Sequence, residues 1–202
     1  MKKFGFTLAE ILVALSIIGV LAATSTPLIS GIMPDKNKLT VLKVYKVVTD
    51  INETLLDDYT LYFKDEDNTT LLGFDRTQQP TIEPYNSELY EGYSKYQALL
   101  AAHLKIRSSN LVAGSNGSFV TEDGINWTFT GPRAFTIDIN PAGKNCSFGK
   151  NCQTPDQFSF VTNANGVVVG NDPLTKAYLA NPFKLNNRKA DYAKAKSDSS
   201  YK

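Results

Sequence analysis

The chain has 202 residues, of which 42% are apolar and 20% charged, and its formal net charge is +1. This length is enough for one ordinary domain with an appendage. The near-neutral charge excludes a generally basic surface, so composition gives no support to nucleic-acid binding.

The first thirty residues are the most unusual part of the chain. Two lysines precede an apolar stretch from Phe6 to Met33, in which Glu10 is the single charge. About twenty such residues in a helix cross a bilayer core of roughly 30 Å, and the lysines predict a cytoplasmic N-terminus. A secretory signal cut near Ala22 and Ala23, or a plain single-pass anchor, would explain the apolar stretch. Neither explains Glu10, because a carboxylate deep in lipid costs about 2.5–3.5 kcal/mol on insertion scales.

An amino terminus from another copy of the chain would explain Glu10, and cleavage after Gly5 would create one on Phe6. The run Gly5-Phe6-Thr7-Leu8-Ala9-Glu10 and the apolar residues after it resemble the class III signal of type IV pilins and type II secretion pseudopilins. The resemblance implies that a prepilin peptidase cuts between Gly5 and Phe6 and then N-methylates Phe6. It also implies that Glu10 pairs with the Phe6 amine of a neighbouring copy during filament assembly. Since a buried charge pair is favourable only when complete, we expect Glu10 to fix the register between subunits.

A long helix is expected to follow from this segment. Pro27 predicts either a simple kink or a part of the helix that bends or melts in a filament. From Lys36 onward, apolar residues recur at steps of three and four and should share one helical face: Val41, Val44, Val48, Ile51, Leu55 and Tyr59. Together with the membrane segment they predict one helix of roughly 80 Å that ends near Tyr59.

A second helix is expected from Ser87 to Ile106, with Asn86 or Ser87 as its cap. Its apolar stripe would consist of Leu89, Tyr93, Tyr96, Leu99, Leu100 and Leu104. His103 is the only histidine in the chain, and we expect it to be structural rather than catalytic.

After Ser108 the apolar pattern changes to a period of two, which predicts four or five antiparallel strands. The alternating residues are Ile125, Trp127 and Phe129, then Phe135, Ile137 and Ile139, then Phe158 and Phe160, with Val167–Val169 last. Asp123-Gly124 and Asn165-Gly166 predict two-residue hairpin turns. The expected fold class is α+β: a long N-terminal transmembrane and amphipathic helix packed on an antiparallel β-sheet head, a pilin-like lollipop.

The expected organisation follows the chain. Residues 1–5 would be the leader, 6–33 the transmembrane and filament-core helix, and 34–185 the extracytoplasmic head with the amphipathic half of the long helix. A short helix and loop are expected within Leu174–Leu185. Residues 186–202 are rich in Lys, Ala, Ser and Asp and are expected to form a flexible polar tail.

The stretch DINPAGKNCSFGKNCQTPDQFSF resembles a loop in pilin and pseudopilin heads, where a strand ending Asp-x-Asn returns at Asp-x-Phe-x-Phe. Asp138, Asn140 and Asp156 carry that match. Cys146 and Cys152 are either a disulfide, which we favour, or free thiols, since their spacing does not suit a zinc site. The three polar residues are weak candidates for calcium ligands; the interpretation we favour is that Asp138 and Asn140 bind loop backbone donors as Asx turns.

We therefore expect a structural prepilin of a type IV pilus-like filament, with no catalytic residues, no resident metal and no cofactor. Two alternatives stay open: a pseudopilin of a type II secretion system, and a minor tip pilin that acts as a binding or adhesion module. The implied partners are other pilins, in homo- or hetero-oligomeric filaments, the prepilin peptidase and an inner-membrane assembly platform. The precursor would sit in a bacterial inner membrane, and the assembled form would be a cell-surface or periplasm-spanning filament.

Overall fold

The computed structural model describes residues 8–32, 35–58, 61–62, 95–112, 117–149, 152, 154–186 and 188–197. Five helices and six strands lie in these residues. The helices are α1 (Leu8–Ile32), α2 (Lys36–Asp57), α3 (Lys95–Ala102), α4 (Pro173–Ala180) and α5 (Arg188–Ser197). The strands are β1 (Ile106–Asn110), β2 (Ser118–Thr121), β3 (Asn126–Phe129), β4 (Ala134–Asp138), β5 (Gln157–Thr162) and β6 (Val168–Gly170). We call the described part from residue 35 onward the head.

The six strands form one sheet in the order β1-β2-β3-β4-β5-β6, and every neighbouring pair is antiparallel. This meander, together with the N-terminal helices, confirms the predicted α+β fold class. Among the described residues the sheet has six strands, whereas the sequence pattern predicted four or five. The difference arises because the pattern does not show β1 and β2 as separate strands.

One face of the sheet carries a row of stacked aromatic rings. Trp127 pairs across the sheet with Phe119 and Ile137, and Phe135 pairs with Phe129 and Phe160. The centroid distances along the row are 5.4 Å for Phe119–Trp127, 5.2 Å for Trp127–Phe135 and 5.3 Å for Phe135–Phe160. These separations suit offset stacking.

The predicted apolar stripe of α2 covers this face. Its buried apolar members are Val41, Val44, Val48, Ile51 and Leu55, and they belong to the same core as the aromatic row. Tyr59, the predicted end of the stripe, lies outside the described residues. The core is thus a helix face on a sheet face, as the two periodicities indicated.

A buried polar cluster ties α2 and α3 to the last hairpin. The Tyr96 hydroxyl donates to Asn52 Oδ1 at 2.9 Å and lies 3.0 Å from Thr162 Oγ1. Asn52 Nδ2 donates to the Gly166 carbonyl at 2.9 Å. Burial raises the pKa of Tyr96 to about 12, so its hydroxyl stays protonated and can donate.

Both hairpin turns lie at the predicted Asp-Gly and Asn-Gly pairs, but each loop has three residues instead of two. Thr121 N donates to Ile125 O, while Gly124 N donates to Thr121 O, and Gly166 lies in an equivalent loop. The φ angles are +84° at Gly124 and +82° at Gly166. A turn closed by a left-handed glycine is the usual three-residue hairpin, and glycine adopts that φ without strain.

The single long helix predicted from Phe6 to Tyr59 is wrong, because two helices, α1 and α2, are separated at Asp35. Asp35 has φ −66° and ψ 108°, which is not helical, and its side chain accepts from Asn37 N and Lys38 N as an N-cap. Pro34, directly before it in the sequence, lacks an N–H, and a helix usually ends at or before the residue that precedes a proline. Pro27, by contrast, lies inside α1.

The second predicted helix ends earlier in the chain than expected. It stops at Ala102, and Ile106 begins β1 instead of closing the helix. Residues 87–94, with the predicted cap and the first half of the stripe, lie outside the described residues. The short helix expected after Asp172 is confirmed as α4, where Asp172 caps Leu174 N and Thr175 N.

The flexible tail predicted for residues 186–202 is wrong for residues 188–197, which form α5. Asp191 and Ala195 of this helix are each 1% exposed, and Tyr192 packs edge-on against Phe148 at 5.7 Å. A helix that buries an acid and an apolar side chain in this way is part of the head. Residues 198–202 lie outside the described residues.

Candidate functional site: the N-terminal segment and the disulfide loop

The apolar N-terminal stretch forms α1 from Leu8 onward. Glu10 lies in its first turn, where the positive end of the helix dipole favours a carboxylate. Gly5 and Phe6, the predicted cleavage and methylation residues, lie outside the described residues.

The described apolar side chains of α1 are exposed all around the helix. Leu8, Ile11, Leu12, Val13, Leu15, Ile17, Ile18 and Val20 are between 49% and 79% exposed. Ser16 does not interrupt this surface, because its hydroxyl donates to Leu12 O at 2.8 Å. A continuous exposed apolar surface of this kind is typical of a site that contacts another protein or a membrane.

No helix among the described residues combines the length and the apolar character needed to cross a membrane.

The loop between β4 and β5 contains the cysteine pair. Cys146 and Cys152 form a disulfide with their Cα atoms 5.8 Å apart. The Cys146 carbonyl accepts from Asp156 N at 2.9 Å, and Cys146 N donates to Asp156 Oδ1 at 3.0 Å. The favoured disulfide is therefore present, and the loop is fastened to the start of β5.

The weak calcium candidates are largely occupied by protein donors. Asp138 Oδ1 accepts from Asn140 N at 2.9 Å and its Oδ2 accepts from Gln157 Nε2 at 3.2 Å. The first of these bonds is the Asx turn that we favoured, and it is shown for Asp138. Asp138 and Asp156 are each 7% exposed. Among the described residues, no group of three or more His, Cys, Asp and Glu side chains is arranged to hold a metal ion.

His103 lies just after α3, and its Nδ1 is 2.8 Å from the Leu99 carbonyl. No metal-binding cluster in the described ranges includes it. This local contact fits the structural role expected for it.

Sequence reasoning missed the contacts that join the two ends of the head. Lys38 Nζ lies 2.6 Å from Asp191 Oδ2, and the side chains are 0% and 1% exposed. The Asp35 carboxylate accepts from the Tyr178 hydroxyl at 2.8 Å, and Asp35 N donates to the Leu185 carbonyl at 3.0 Å. The Pro34-Asp35 pair was a visible signal for the helix start, but no local pattern pointed to a buried partner for Lys38.

These contacts connect the place where α1 leads into the head with the C-terminal helix. Lys38 Nζ also donates to the Lys184 carbonyl at 3.2 Å and lies 5.4 Å from the centre of the Tyr178 ring. The start of α2 is therefore held by α4, α5 and the loop between them.

Comparison with known proteins gives one finding. The model of the prokaryotic N-terminal methylation motif matches residues 1–26. No curated protein and no solved structure matches the chain. A motif of this type points to a family of structural subunits rather than of enzymes. The chain therefore carries, at residues 1–26, the class III signal of type IV pilins and pseudopilins.

Proposed function

We propose that this chain is a prepilin, the precursor of a structural subunit in a type IV pilus-like filament. The observation that carries the proposal is the methylation motif at residues 1–26, which runs directly into the exposed apolar helix α1. A prepilin peptidase would cut after Gly5 and methylate the new amino group of Phe6. The remaining apolar segment would keep the precursor in the inner membrane until assembly.

In the filament, the α1 helices of many copies would cover one another's apolar surfaces, and the heads would form the outside. Glu10 lies in the first turn of α1, four positions after the new terminus in the sequence. Its carboxylate would pair with the Phe6 amine of a neighbouring copy. A pair of this kind in a low dielectric penalises any subunit that slips in register, because both charges would then lose their partner.

The head suits an extracytoplasmic location. The disulfide between Cys146 and Cys152 persists in oxidising compartments. The buried links from α2 to α5 fasten the start of the head, so a pull on α1 would be passed to the whole domain. This arrangement supports a load-bearing role.

Two variants test the proposal together. Gly5→Asp should leave the leader attached and abolish assembly, whereas Glu10→Ala should be processed normally and assemble poorly. Processing is measured from the mass of the chain in membranes, and assembly from its amount in sheared fibres. Normal fibre yield from Glu10→Ala would contradict the register argument.

The same fibre preparation separates the alternatives by stoichiometry. A bulk component of long sheared fibres is a major pilin, and a trace component at the ends is a tip subunit. A type II pseudopilin would instead be needed for export of secreted proteins and would yield few sheared fibres.

A further inference from the structure

Phe183 is the most exposed large apolar side chain in the described part of the head. Its side chain is 95% exposed, in the loop between α4 and α5. The loop is held in place, because Lys184 O accepts from Lys38 Nζ and Leu185 O accepts from Asp35 N. An aromatic ring presented by a fixed loop is the kind of side chain that anchors protein interfaces.

A cleft lies on another part of the head, between α2, the α3–β1 connection and the β2–β3 hairpin. Its volume is about 370 Å³, and its apolar lining comes from Val44, Val47, Leu104, Ile125 and Trp127. An apolar cavity of about 150 Å³ is enough to bind benzene, so a phenyl ring fits this cleft with room for its backbone to approach.

Trp127 lines the cleft and carries a buried polar group. The residue is 2% exposed, and its indole N–H has no hydrogen-bond partner among the residues that the structure describes. The ring cannot easily turn away, since it is stacked between Phe119 and Phe135. A buried indole N–H usually donates to an acceptor, which can be a carbonyl oxygen or the face of an aromatic ring.

The rim of the cleft is charged. Lys43 Nζ lies 2.7 Å from Asp123 Oδ2. Burial alone would raise the pKa of Asp123, but hydrogen bonds from Lys43 and Thr121 and the charge of Lys43 hold it below its usual value. Glu122, Lys105 and His103 complete the rim.

The loop that carries Phe183 also carries an exposed cation. Lys184 follows Phe183 directly, and its side chain is exposed. Glu122 on the cleft rim is exposed as well and makes no ion pair within the described ranges. The two charges are complementary.

The Phe183 loop and the cleft lie on opposite flanks of α2. Lys38 holds the loop and Val47 lines the cleft, nine positions later. At 3.6 residues per turn and 1.5 Å per residue, the two positions are about 180° apart around the helix and roughly 14 Å apart along it. One copy therefore cannot fill its own cleft, while a neighbour beside it and shifted along α2 can.

Resting on the filament role proposed above, we propose that Phe183 of one copy inserts into the cleft of the next copy. The ring contacts Val47 and Leu104 beside Trp127, and Lys184 faces Glu122. Such a contact joins two different surfaces, so it repeats from copy to copy and builds an open helical array instead of a closed dimer.

Cysteine cross-linking in cells tests the contact directly. The sequence has two cysteines, and they are bonded to each other. Lys184→Cys combined with Lys105→Cys, which leaves the Phe183 ring in place, should give a ladder of dimers, trimers and larger species after treatment with a short bis-maleimide. Each single variant should give no ladder, and neither should Lys184→Cys with Thr130→Cys, because Thr130 follows the end of β3 that is remote from the cleft.

The outcomes separate this contact from the proposed function. Fibres that contain the double variant but give no ladder would overturn the contact and leave the filament role standing. A ladder without any fibres would support the contact and contradict the filament role. The absence of both would overturn both.

A second variant measures how much the contact contributes to fibre assembly. Phe183→Ala should lower fibre yield roughly tenfold or more, as expected for a central aromatic anchor. It should leave the unfolding midpoint of the head unchanged, because a 95% exposed ring contributes little to folding. Val167→Ala, which truncates another exposed apolar residue at 52%, is the matched control and should assemble normally. Equal yields from Phe183→Ala and this control would refute the contact.

Discussion

Asp191→Ala should lower the free energy of unfolding of the head by about 3–5 kcal/mol, the usual cost of removing one partner from a buried ion pair. The Lys38 and Asp191 side chains are 0% and 1% exposed, so the variant would leave the Lys38 ammonium buried without its carboxylate partner. Among the residues that the structure describes, the Lys38 ammonium would keep the Lys184 carbonyl at 3.2 Å and the Tyr178 ring as neighbours. Since most domains are stable by about 5–15 kcal/mol, this loss is large.

Urea unfolding of the full-length chain in detergent measures the effect. Trp127 is the only tryptophan and is buried in the head, so its fluorescence reports unfolding of the head. Lys46→Met is the control, because the Lys46–Asp50 pair is exposed and should contribute about 0.5 kcal/mol or less. The double variant Lys38→Met with Asp191→Leu should recover most of the loss, since it leaves no unpaired charge. An Asp191→Ala variant within about 1 kcal/mol of the parent would refute the docking of α5 through this pair.

Three further predictions concern the head. Burial lowers the pKa of Lys95 from 10.5 to about 8. As the pH rises, the folded state therefore loses this proton before the unfolded state does. The free energy of unfolding should rise between about pH 8 and 10, by at most about 1.4 kcal/mol per pH unit. Urea midpoints for Lys95→Met should lack this rise, and an unchanged pH profile would contradict it. Gly124→Ala should lower the free energy of unfolding by about 1–2 kcal/mol, because alanine is strained at φ +84° although its Cβ would meet nothing within 4 Å. Gly131→Ala is the control and should be nearly neutral, because its Cβ would meet only Ala134 Cβ within 4 Å, at 3.5 Å. Replacing Cys146 and Cys152 together by serine should cost about 2.4 kcal/mol on the loop-entropy model, and a cost near zero in urea unfolding would show that the disulfide adds no stability.

The parts of the fold that the sequence predicted well are those with a repeating apolar pattern. The α2 stripe, the aromatic strands and the two hairpin glycines each follow from a local rule, and the structure confirms them. The N-terminal motif was equally clear, because its letters are specific and adjacent.

The parts that were missed lack a local signal. Strand β1 is mostly exposed and polar, with Arg107, Ser108 and Ser109 in its middle, so it has no alternation to detect. Polar edge strands of this kind protect a sheet against pairing with other chains.

Helix α5 was missed because its position depends on a partner far away in the sequence. Asp191 is 153 residues from Lys38, and its surroundings in the sequence resemble a solvated tail. The Pro34-Asp35 pair is a local signal for the break between α1 and α2, whereas Pro27, the proline expected to disturb the helix, lies inside α1.

The prepilin role is decided by the N-terminal residue of the mature protein, which mass spectrometry of the chain from membranes and fibres determines. This role requires a mature chain that begins at N-methylated Phe6 and keeps the whole apolar segment. A mature chain that begins near Thr24, with that segment removed by a secretory signal peptidase, would contradict it.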